Sequence, residues 1–156
     1  MDTPSESLDA EEHRRLGIDL FNKTWTLMEK ADREPEEDDE LVHCAHASAY
    51  HWMHAGTIAN RVRSEWQCSR VYAVLGRAEP ALDHARRCLE LAESAPAELD
   101  EFDLPFAYEA LARACAVAGD EAQAREWLAR AKAAGAEIGD EDDRTLLESD
   151  LATIAL

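Results

Sequence analysis

Two stretches of this chain repeat one another at a fixed distance, and that repeat limits the fold more than any other feature. Tyr72, Gly76, Ala81, Ala85 and Cys88 recur as Cys115, Gly119, Ala124, Leu128 and Ala131, at a constant offset of 43 residues. Small side chains let two antiparallel helices approach closely, and glycine permits the tight turn between them. A hairpin of this kind keeps an apolar face that only a neighbouring hairpin can cover. The pattern therefore predicts helical hairpins that stack.

Helix signals outside the repeat agree. Residues 1–8 read as a disordered tail. Asp9 and Glu12 form a capping-box pattern, and Leu16, Leu20, Phe21, Trp25, Leu27 and Met28 follow at helical spacing to about Ala31. Asp32–Glu40 carries seven acids and Pro35, which places a second helix start near Glu36 and its end at Ala55 before Gly56. Thr57 caps a third helix over Ile58–Leu75. A fourth opens at Glu79-Pro80 and ends near Ser94, a fifth runs from Asp103 to Ala118, and a sixth spans Glu121–Ala134. Acids at Asp140–Asp143 begin a seventh helix, with Leu146, Leu147, Leu151 and Ile154 as its apolar stripe. No stretch alternates in the manner of a strand, so the expected class is all-α over residues 9–156, as one domain.

These residues resemble the tetratricopeptide repeat (TPR) family. Tyr108, Leu111-Ala112, Gly119, Ala124 and Ala131 follow its pattern, and Tyr72, Gly76 and Ala81 follow it in the preceding unit. Cys68-Ser69 stands where the family has Leu-Gly, and the 43-residue offset exceeds the family's 34. The match is best over residues 62–134, and the first hairpin, residues 9–56, shares only the outline. The resemblance implies a TPR-like right-handed solenoid of about three antiparallel hairpins plus a C-terminal capping helix. It also implies a concave groove lined by the first helix of each unit, holding a peptide or protein partner.

Charge narrows the class of partner. A net charge of −18 repels phosphate backbones and anionic lipid, which argues against nucleic-acid and membrane roles. No apolar run of about 18 residues is present. The acidic start Met1-Asp2-Thr3-Pro4-Ser5-Glu6 is unlike a targeting peptide, so the expected compartment is the cytoplasm. Cys44, Cys68, Cys88 and Cys115 lie 20 or more residues apart, a spacing that predicts reduced, buried thiols. Gly-rich phosphate loops, nucleophile elbows and dinucleotide fingerprints are absent from the sequence.

Carried onto this sequence, the groove of the resemblance consists of Arg63, Trp66 and Arg70 in one unit and Phe106, Glu109 and Arg113 in the next. Arginine forks suit carboxylates and aromatic rings give flat apolar contact, so a peptide or an acidic partner is expected there without any cofactor. The competing reading is structural, with Glu65–Arg61 and Glu109–Arg113 as intrahelical pairs and Trp66 filling a gap between hairpins.

A second hypothesis comes from density, since five of the six histidines fall within residues 43–88. His46, Tyr50, His51, Glu65, Ser69 and His84 would form a pocket between the second and third helices. It would hold zinc or another transition metal, or a small molecule, with catalysis as an open alternative. Histidines that simply bond to backbone or carboxylates are the alternative. The stripe on the seventh helix can cap this chain or meet a second copy in a homodimer.

Overall fold

A computed structural model describes residues 7–156, so six of the eight residues read as a tail lie outside the described residues. Seven α-helices follow in order: α1 (Ala10–Glu29), α2 (Pro35–Ala55), α3 (Ile58–Val74), α4 (Ala78–Ser94), α5 (Asp103–Val117), α6 (Glu121–Gly135) and α7 (Glu141–Ala152). A 3-10 turn, Pro96–Glu98, joins α4 to α5. No strand occurs among the described residues. Consecutive helices pack as hairpins, α1 with α2, α3 with α4 and α5 with α6.

Helix starts are set by local hydrogen bonds that satisfy otherwise orphaned backbone N–H groups. Asp9 accepts from the Glu12 N–H at 2.8 Å, and the Glu12 carboxylate accepts from the Asp9 N–H at 2.8 Å. Thr57 and Asn60 exchange the same pair of bonds at the head of α3. At α2 the box is built by Glu34 and Glu37. Pro35 then occupies the first helical position, where its missing N–H costs nothing.

The repeat is visible as a repeated turn. Gly76 has φ +71° and Gly119 has φ +78°, a conformation that L side chains rarely adopt. Around them the Arg77 N–H donates to the Tyr72 carbonyl at 2.8 Å, and the Asp120 N–H to the Cys115 carbonyl at 3.0 Å. These are one Schellman turn used twice, 43 residues apart. Just past each turn, Ala81 and Ala124 are completely buried, as are Cys88 and Ala131 further along. Side chains this small bring the helix axes together.

The first hairpin closes by another route. Gly17 lies under the indole of Trp52, and the Ser48 hydroxyl donates to the Gly17 carbonyl at 2.7 Å. Leu147 and Leu151 of α7 pack on Ala131 and Ile138, covering the open end of the third hairpin. Leu146 points elsewhere and is exposed. Every buried side-chain nitrogen or oxygen among the described residues has a hydrogen-bond partner.

A methyl group at Gly17 would sit 2.9 Å from the Trp52 ring, which is held rigidly in the hairpin. Gly17→Ala is therefore expected to cost about 1–3 kcal/mol of stability, as overpacking does, despite alanine's better helix propensity. Urea unfolding measures it; an unchanged or raised midpoint would show that α1 and α2 can part at this point.

Candidate functional site

Helices α1, α3, α5 and α7 turn side chains toward a common cavity of about 520 Å³. Its apolar lining comes from Phe21 and Trp25 on α1, Trp66 on α3, Phe106 on α5 and Leu146 on α7, with Phe102 just ahead of α5. Trp25 and Trp66 lie with ring centroids 5.5 Å apart, and Phe106 meets Trp66 edge-on at 5.7 Å. Such tilted and edge-to-face contacts hold aromatic rings in place without stacking them shut.

Beneath the rings lies a buried ion network centred on Glu109, which is completely buried. Its carboxylate accepts from the Trp66 indole N–H at 2.9 Å, from Arg113 Nε at 2.7 Å and from Arg70 at 3.2 Å. Arg113 also donates to the Asp150 carbonyl at 2.9 Å and to the Thr153 hydroxyl at 2.8 Å. Arg70 stands 3.7 Å from the Asp150 carboxylate. Burial lowers the Arg70 pKa, with Glu109 pulling the other way, and burial raises that of Asp150. Glu109 thus ties α3 to α5, and its two arginines extend the network to α7.

Arg63 sits at the cavity wall. Its guanidinium forks onto Asp103 at 2.9 and 3.0 Å and reaches Asp100 at 2.8 Å. These bonds, Asp103 foremost, raise its pKa above the ordinary arginine value. The three groove arginines, Arg63, Arg70 and Arg113, are therefore each paired with a carboxylate of this same chain. Of the six groove residues, Trp66, Phe106 and Arg63 line the cavity, whereas Arg70, Glu109 and Arg113 form its foundation. The Glu109–Arg113 intrahelical pair is present, and Glu65 pairs with His84.

Phe21, Trp25 and Glu29 on α1, and Asp143, Leu146 and Asp150 on α7, also line the cavity and do not figure among the groove residues read from the sequence. For α1 an i,i+4 spacing carried the signal. Phe21, Trp25 and Glu29 make one stripe on the first helix of a hairpin, the position that α3 and α5 fill in theirs.

The histidine pocket divides into two clusters. At the α2–α3–α4 junction His46 Nε2 lies 2.7 Å from the Tyr72 hydroxyl, and His84 Nδ1 lies 2.6 Å from Glu65 Oε2. His84 also stacks on Tyr72, with centroids 5.6 Å apart. Tyr50 and His51 belong to a different group, with His54 and with His13 of α1. There the His13 and His51 Nδ1 atoms are 2.9 Å apart. Ser69 joins neither cluster; its hydroxyl donates to the Ala81 carbonyl at 2.9 Å. Among the described residues no three His, Cys, Asp or Glu side chains are arranged to hold a metal ion.

All four cysteines are buried. Burial pushes the Cys68 thiol up to about 12, so it is not a thiolate near neutral pH. Cys88 is raised by the same cause, and its sulfur donates to the Val62 carbonyl.

Comparison of the chain with protein-family models, with curated proteins and with solved structures found no match. Among the described residues no helix is long and apolar enough to cross a membrane.

Two predictions follow from these networks. Glu109→Ala leaves two largely covered arginines short of their shared partner, and removing one side of such a pair typically costs about 3–5 kcal/mol. Calorimetry should show Tm falling by roughly 10 °C; a fall within experimental scatter would mean that the arginines find other partners. The second concerns pH. Burial, then His84, lowers the His46 pKa below 6.5, and burial, then His13 and His54, does the same for His51. Below about 6.5 the unfolded chain takes up protons that these two folded sites refuse, so stability is full above that pH and declines as pH falls through it. A Tm profile from about pH 7 to about pH 5 should slope downward, and His46→Gln with His51→Asn should flatten it. An equal slope in the double variant would assign the effect to other groups.

Proposed function

We propose that this protein is a TPR-like, non-enzymatic binding module, and that a polypeptide partner occupies the cavity faced by α1, α3, α5 and α7. The observation that carries this reading is the cavity itself. The first helices of all three hairpins contribute aromatic side chains to it, and the side chains of Phe21, Trp25 and Phe106 are engaged in no hydrogen bond among the described residues. Aromatic anchors in a pre-formed concavity supply most of the binding energy in recognition of this kind.

Rigidity supports the same reading. The Glu109 network and the Arg63 fork fix the floor before any partner arrives, so little ordering cost falls on binding. The arginines hold the scaffold, and the rings are what remains to be touched.

The test uses peptides selected against the intact protein from a random display library. Trp25→Ala should weaken the selected peptides by roughly thirty-fold, the ~2 kcal/mol of a hot-spot tryptophan, with unfolding midpoints little changed. Peptides that bind the variant as tightly as the parent would move the site away from this cavity.

A further inference from the structure

The sign of the charge in the cavity is opposite to that expected from the arginine-rich sequence of α3. Glu29, Asp103, Asp143 and Asp150 line it against a single arginine, Arg63, which is already held by Asp103 and Asp100. Arg70 and Arg113 lie beneath, bound to Glu109. Glu29 and Asp143 form no salt bridge or side-chain hydrogen bond among the described residues, although both border an aromatic surface. The Asp143 pKa is raised, first by partial desolvation and then by Asp140, Asp142, Asp100 and Glu101, which marks this rim as crowded with negative charge. Protonation or neutralisation there relieves repulsion.

Resting on the reading of the cavity as a polypeptide site, we infer that its partner is a basic segment. One large apolar side chain enters the cavity against Trp25 and Trp66, and flanking lysines or arginines reach Glu29 on α1 and Asp143 on α7. Charge complementarity selects the sign, and the rings favour it as well, because cations are attracted to the faces of tryptophan. Span selects a polypeptide over a small amine. In the row α1, α3, α5, α7 each helix contacts the next, and neighbouring helix axes lie about 8–10 Å apart. Three such steps put the α1 and α7 axes at most about 30 Å apart, so an extended segment of up to about nine residues reaches both. The net charge of −18 draws such a segment from a distance and speeds its encounter.

The experiment selects from a display library in which the flanking positions are randomised among Lys, Arg, Asp, Glu, Ser and Gln around a fixed tryptophan. The intact protein and its Trp25→Ala variant serve as paired baits, and phenethylamine is titrated separately as a small-amine probe. Enrichment of Lys and Arg on the parent, absent on Trp25→Ala, is the expected result. The enriched peptides should bind about ten-fold more weakly to a Glu29→Gln, Asp143→Asn double variant and lose affinity as salt rises. That variant should fold as well as the parent, since neither carboxylate holds another residue. Enrichment of acidic or neutral flanks, lost on Trp25→Ala, would overturn the charge inference while leaving the cavity as the binding site. Equal affinity in the double variant would overturn it too. Phenethylamine binding as tightly as the best peptide would replace the polypeptide with a small amine. No enrichment over the Trp25→Ala bait would remove both the inference and the cavity reading.

Discussion

The burial of a single carboxylate organises this molecule. Glu109 has no contact with solvent, yet it is surrounded by the three donors that a buried carboxylate requires, drawn from α3 and α5. The geometry of that coordination leaves little latitude. Trp66 must present its indole N–H, which fixes the ring at the cavity floor; Arg113 must extend along α5, which leaves its far nitrogens for the α7 terminus. Apolar packing alone is tolerant of small shifts between hairpins, whereas charge-assisted hydrogen bonds are not. Register between the second and third hairpins is thus specified electrostatically, inside an otherwise alanine-rich interface.

The internal repeat accounts for how the network arose in this position. Arg70 and Arg113 are separated by the repeat offset, as are Trp66 and Glu109. Stacking two copies of one hairpin sets equivalent positions side by side, so a residue in one unit meets its counterpart or the counterpart's neighbour in the next. Two arginines at equivalent places would repel one another across the interface. The glutamate converts that repulsion into a shared bond.

Much of the fold was legible because its signals are local. Caps at Asp9 and Thr57, left-handed glycines at 76 and 119, and buried alanines at 81 and 124 depend only on neighbours within one or two turns. The cavity was half legible. Trp66 and Phe106 follow from the repeat, and Trp25 is marked by its i,i+4 stripe with Phe21 and Glu29, but that α7 brings Asp150 to the same cavity is decided by packing between helices, which no spacing within a single helix expresses. Charge was the least legible property. Counting arginines along α3 suggests a basic groove, whereas their function is set by which carboxylates fold against them, and Asp103 lies 40 residues on from Arg63 and Glu109 lies 39 on from Arg70. The histidines divided for a related reason: those near one another along α2 face α1 in one case and α3–α4 in another.

The docking of α7 carries a further consequence. This helix is short, and what holds it is Leu147 and Leu151 together with the arginine contacts to Asp150 and Thr153. It is also a wall of the cavity. A molecule that touches both α1 and α7 lies across the two ends of the stack, and by linkage it must stabilise the docked position of the C-terminal helix to the same degree that docking strengthens its grip. Occupancy is then readable at a distance from the rings, as slower hydrogen exchange and slower proteolysis along residues 141–152.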